Sequence, residues 1–234
     1  MHSDNLKGIG ILNIFRDIEP QARRSLLTLF TAGLLFWSSM ASLLPTLPLY
    51  VQSVGGTKQQ IGFVMGAFAI GLLLSRAQLG KIADSRGRKQ VLFLGASVAA
   101  IAPLGYLLAQ SIPLLLLIRA FHGISIAAFT TAYSALVTDL SPPGKRGELI
   151  GYMSLVSPIG LAFGPAIGGF VQAWVGYTSL FAMSAAFAAT AVFFTCKIAE
   201  PNFADLTKSD LLSEDKNSQK YWQMLWNPRV RIRL

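Results

Sequence analysis

Arg119 and His122 stand three residues apart inside a long apolar stretch, Pro113 to Val137, where ionisable side chains are costly. A guanidinium at that depth has two physical outlets. It faces a polar cavity or a partner, or its long stem carries the charge out to the nearer membrane surface. An imidazole titrates near neutral pH, so His122 is a candidate member of a proton path; a lone histidine in such a place also serves simply as a packing or hydrogen-bonding group. A second set is the run Gly80-Lys-Ile-Ala-Asp84-Ser-Arg86-Gly87-Arg88-Lys89. Its glycines suit a tight turn, Asp84 can accept hydrogen bonds and ion pairs near helix ends, and Arg88 and Lys89 can hold carbonyls or lipid phosphates. A third set, Gly160, Gly164 and Gly168, recurs every fourth residue and so lines one helix face, with Pro165 and Gly169 beside it.

The elements that must position these residues are membrane helices. Of the 234 residues, 53% are hydrophobic and only 13% are charged, about half the charge that an ordinary soluble domain carries. The apolar residues fall in blocks near the ~20 residues needed to cross a bilayer. The expected spans are Leu26 to Val51, Gln60 to Leu79, Gln90 to Leu108, Pro113 to Val137, Leu149 to Val175 and Tyr177 to Cys196. Pro45 and Pro48 should kink or unwind the end of the first. Gly62, Gly66 and Gly71 in the second allow close helix approach.

Net charge is +9, yet the basic residues sit in short segments between apolar blocks, where they act as topology signals and not as a nucleic-acid surface. Ten lysines and arginines lie in the N-terminal tail, the second-to-third loop and the fourth-to-fifth loop, against Lys58 alone in the loops on the other side. The expected layout is therefore a cytoplasmic tail at 1–25, a six-span bundle at 26–196 and a second cytoplasmic tail at 197–234.

Several function classes lack support. No phosphate-binding Gly-x-x-x-x-Gly-Lys-Ser/Thr loop occurs, the lone Cys196 and two histidines have no metal-ligand spacing, and no nucleophile, base and orienting group fall together. No enzymatic activity, cofactor or metal is expected. None of the eleven acids lies in the middle of a span, so a carboxylate at membrane depth, one common device for proton coupling, is missing from the sequence.

At Gly80, Asp84, Gly87, Arg88 and Lys89 the sequence resembles the major facilitator superfamily of secondary transporters, which carries a glycine, an aspartate and a Gly-Arg-Lys triplet between its second and third spans. Ser85-Arg86 stands here where that family usually has a basic and then an aromatic residue. The fifth-span run Gly160-Leu-Ala-Phe-Gly164-Pro165-Ala-Ile-Gly168-Gly169 resembles the glycine-rich motif of the drug and proton antiporter branch. Arg119-Ala-Phe-His122-Gly123 resembles a fourth-span motif in which glutamine usually holds the histidine's place.

The resemblance implies an all-α membrane protein, the amino-terminal six-span half of a twelve-helix fold built from three-helix repeats, in a plasma or inner membrane. It implies that the loop around Asp84 is a gating latch, that Gly160, Gly164, Pro165, Gly168 and Gly169 pack and hinge, and that Trp37, Arg119, His122 and Tyr133 are cavity or coupling candidates. Read without it, serines 38, 39 and 42 around Trp37 are helix-to-helix hydrogen-bonding groups. The implied function is alternating-access transport of a small solute, in the outward direction. The expected partners are the solute, the bilayer, and a second six-span half or a second copy of the chain. A transport-incompetent membrane protein acting as an interaction or regulatory partner is the alternative.

Overall fold

The computed structural model describes residues 18–199. The elements are α1 (Pro20–Ser42), α2 (Thr46–Ser53), α3 (Lys58–Arg86), α4 (Arg88–Leu108), α5 (Ile112–Leu140), a short 3-10 turn (Pro143–Lys145), α6 (Arg146–Ser154), α7 (Val156–Val175) and α8 (Tyr177–Cys196). Together they make six helical segments long and apolar enough to cross a membrane, with α1 and α2 forming the first and α6 and α7 the fifth.

Local chemistry sets the boundaries. α3 starts at a capping box: the Gln60 N–H donates to Thr57 Oγ1 at 3.3 Å and the Thr57 N–H to Gln60 Oε1 at 2.9 Å. The first span breaks at Leu43–Pro45, as a proline with no backbone donor requires, and resumes at Thr46. The second span runs further than the sequence pattern suggests. Gly80 and Asp84 belong to helix, and the expected turn shrinks to Gly87, whose φ of 109° only glycine adopts easily. The residues Leu79, Lys81, Ile82, Ala83 and Arg86 favour helix enough to carry Gly80, at a cost of about 1 kcal/mol. The first span likewise begins at Pro20, taking Arg23 and Arg24 out of the expected tail and into its opening turns.

Packing places the spans in a row. The second lies on the fourth, the fourth on the third, the third on the sixth, the sixth on the first and the first on the fifth. The second and fifth spans, at the two ends of the row, are the least buried. One apolar cluster fills the bundle around Leu29, Phe36, Leu92, Phe129 and Leu136, with the Phe36 and Phe129 rings stacked 3.8 Å apart. A second, around Leu47, Tyr106, Leu115 and Phe181, fills the opposite end. There Tyr50 Oη donates toward the carbonyls of Tyr106 at 3.0 Å and Ala109 at 3.1 Å, tying α2 to the end of α4.

Candidate functional site

Two approaches too close for side chains bring α3 against α5. A Cβ on Gly71 would run into the Ala120 carbonyl, and one on Gly123 into the Phe68 carbonyl. Gly62 and Gly66 have nothing within 4 Å, so of the three glycines that the sequence offered on this helix only Gly71 makes the contact. The tight crossing sets Phe68 of α3 beside Arg119 and His122 of α5. The Arg119 guanidinium carbon lies 4.4 Å from the centroid of the Phe68 ring, within cation-π range, and the group faces the Tyr106 hydroxyl of α4.

Arg119 is 4% exposed, so its side chain turns into the bundle and does not run out to the surface. His122 is fully buried, with Nδ1 3.1 Å from Tyr106 Oη. Among the described residues Arg119 Nε and His122 Nε2 have no hydrogen-bond partner, and no carboxylate pairs with the guanidinium. The result is a buried cation beside the Phe68 ring and the Tyr106 hydroxyl, with the His122 imidazole bonded to the same tyrosine and unsatisfied donor or acceptor capacity on both ionisable groups. Buried groups of this kind are normally satisfied, which makes them the strongest polar anomaly inside the bundle. Tyr106 and Phe68 were not evident from the sequence. Both are ordinary-looking aromatics in apolar helices, and only the crossing of α3 and α5 gives them a polar task.

Trp37 and Tyr133 stand elsewhere. Tyr133 is fourteen residues from Arg119, roughly 20 Å along α5 at about 1.5 Å per residue. Its hydroxyl donates to the Met153 carbonyl at 2.9 Å, and with Ser134, Thr138 and Ser154 it borders a cavity of about 170 Å³ between α5 and α6. Trp37 packs edge-on against Phe36, and its backbone and Cβ press on Gly160. The four residues therefore form two groups: Arg119 with His122, and Trp37 with Tyr133 through the Phe36 and Phe129 rings.

Gly160, Gly164 and Gly168 all face α1. Added Cβ atoms would meet Trp37 at 2.5 Å, Ala41 at 2.6 Å and Ser42, respectively, so these glycines let two backbones touch. Pro165 sits inside α7 without ending it, and Gly169 points to open space. The serine face of α1 divides: Ser39 clasps Ser184 of α8, with Oγ to carbonyl at 2.8 Å and Oγ to Oγ at 2.9 Å, while Ser42 bonds back to the Ser39 carbonyl in its own helix.

At the Gly87 turn, Arg88 pairs with Asp139 in the last turn of α5. Lys89 Nζ donates to the carbonyls of Cys196 at 2.9 Å and Ile198 at 2.7 Å, so the start of α4 holds the end of α8. Asp84 is exposed and pairs with no cation among the described residues. Arg76, which the sequence reading passed over, is also exposed on α3, two turns before Asp84.

Over residues 29–233 the sequence matches the family described as Major Facilitator Superfamily. It is 27% identical over 137 residues to the quinolone resistance protein NorA of Staphylococcus aureus, an alignment covering 58% of this chain and 35% of that protein. It is 27% identical over 180 residues to a multi-drug resistance efflux pump PmrA homolog of Lactococcus lactis, covering 75% of this chain and 44% of the pump. The chain thus spans less than half the length of these relatives. Among solved structures, a bacterial homolog of the human lysosomal transporter Spinster, inward-facing and occupied, shares the fold with a TM-score of 0.68 at 20% identity, over 78% of this chain and 45% of that one. The six-span row, its glycine crossings and the match across nearly the whole sequence lead to one assignment: the chain belongs to the Major Facilitator Superfamily.

Proposed function

We propose that the chain forms one wall of a secondary carrier that moves a small amphipathic solute out of the cell by alternating access, with both termini on the cytoplasmic side. The observation that carries this reading is the uneven burial of the row. Its two end helices, α3 and α7, keep open faces on which a Cβ at Gly62, Gly66 or Gly169 would meet nothing within 4 Å, and Asp84 stands on α3 without an ion-pair partner among the described residues. Small residues are poor lipid contacts and good helix contacts, so a second six-span bundle is the natural cover. That bundle is either a second copy of the chain or another polypeptide segment. A solute site then lies between the two bundles near midplane.

The names of the two drug-efflux relatives support an exporter, and quinolones are the first solutes to try. In this half the acids of the described helices stay at their ends: Asp84 and Asp139 in last turns, Glu148 in a first turn. Any coupling role within this wall falls to Arg119 and His122. Asp84, Arg88 and Lys89 act in gating: the Arg88–Asp139 pair and the Lys89 bonds hold the inner ends of the third, fourth and sixth spans in one arrangement, while Asp84 engages the opposite bundle.

The test is quinolone uptake into energised everted vesicles from cells producing the full gene product that carries this chain. Uptake should exceed that of vesicles without the protein and fall several-fold in Asp84→Asn, with normal membrane insertion. A well-inserted protein that moves no solute leaves the interaction-partner reading in its place.

A further inference from the structure

The inner ends of the first and sixth spans enclose a half-open groove of about 690 Å³ lined by Gln21, Arg24, Ser25, Thr28, Phe194 and Lys197, with Ala199 at its floor. Its floor is anchored. Ile198 is buried in the bundle's main apolar cluster, and Lys89 Nζ bonds the carbonyls on either side of Lys197. The wall is regular helix, with Thr28 Oγ1 bonded to the Arg24 carbonyl at 2.8 Å.

Two cations, one on each wall, face this space, and neither pairs with a carboxylate among the described residues. Lys197 Nζ lies 4.1 Å over the exposed Phe193 ring, beside the groove. Two lining cations and no lining carboxylate give the groove a positive charge, which favours an anion there. Gln21 adds a neutral amide donor, while the Ser25 and Thr28 hydroxyls donate to the Ala199 and Arg24 carbonyls and fix the walls. Phe194 supplies an apolar side, and the volume exceeds what a bare phosphate fills. The level fits as well: the groove joins the first turns of α1 to the last turn of α8, where a membrane helix meets the headgroup layer.

From this geometry we infer that the groove binds a phosphate group between Arg24 and Lys197, that of an anionic phospholipid headgroup whose acyl chains run down past Phe194. It is separate from the solute route and does not depend on the carrier reading.

Purified full-length protein is delipidated in a neutral detergent and titrated with phosphatidylglycerol, with diacylglycerol or with inorganic phosphate, and bound ligand is counted by native mass spectrometry. The double variant Arg24→Gln/Lys197→Gln is compared with Arg23→Gln/Lys81→Gln, which loses the same charge from exposed positions outside the groove. All four side chains are exposed, so folding is retained, and a matching thermal unfolding curve verifies it. The groove variant should bind phosphatidylglycerol roughly tenfold more weakly than the wild type, with the control within about twofold. Binding of inorganic phosphate as strong as the lipid's, and equally lost in the groove variant, would support the phosphate site and identify a free phosphate as its ligand. Equal phosphatidylglycerol binding by the two variants, or diacylglycerol binding as tight as phosphatidylglycerol, overturns the inference.

Discussion

At the residue scale the structure turns on a few polar groups in apolar surroundings. His122 shares one hydrogen bond with Tyr106 and keeps Nε2 unpartnered, so Tyr106→Phe leaves a fully buried imidazole with no partner on either nitrogen. That substitution should destabilise the bundle by about 1–3 kcal/mol, read as a lower midpoint of thermal unfolding in detergent. Should stability be unchanged, the hydrogen bond is not made in the folded protein. The serine clasp allows a cleaner measurement. Ser39→Ala and Ser184→Ala remove the two sides of one contact, so the double variant should lose clearly less than the sum of the singles. Strict additivity would show that α1 and α8 are not joined there. What the sequence revealed at this scale was the presence of Arg119 and His122, because charge inside an apolar run is visible in one dimension. Their surroundings were hidden, since Phe68 and Tyr106 come from two other helices and carry no charge to mark them.

At the element scale, glycine decides which helices touch. Gly164 faces α1 and Gly169, five residues on, faces open space, so the same change should have opposite weights at the two sites. Gly164→Leu forces α1 and α7 apart and should cost about 1–3 kcal/mol or more. Gly169→Leu should stay within about 0.5 kcal/mol in the isolated bundle, and a reversal of that order would mean α7 is rotated from its described face. The fourfold spacing made one glycine face readable in α7. In α3 the same residue type divides: within the bundle only Gly71 meets a neighbour, while Gly62 and Gly66 lie on the open face. The C-terminal boundary of α3 was missed because glycine is not always a stop. Gly80 resembles a helix stop, but the residues around it favour helix and the true stop waits for Gly87.

At the scale of the whole molecule, the six spans and their order along the chain were legible from apolar block length, since the bilayer imposes that length directly. The order in space was not, because which span neighbours which depends on side-chain shapes that no period records. Orientation, read from the lysine and arginine bias, has a direct check in the chain's own cysteine. Cys196 is exposed at the end of the sixth span, so a membrane-impermeant maleimide should label it in everted vesicles and spare it in right-side-out ones. The opposite pattern would invert the bundle and with it the assignment of Arg88, Lys89 and Asp84 to the cytoplasmic side.

The central claim is that this bundle is one wall of a solute pathway. Its most direct test is quinolone accumulation in energised everted vesicles carrying the full gene product, measured for the wild type and for Asp84→Asn. Accumulation that depends on the protein and drops several-fold in the variant is the predicted result. Wild-type protein, correctly inserted and folded, that accumulates no more solute than empty vesicles would contradict it.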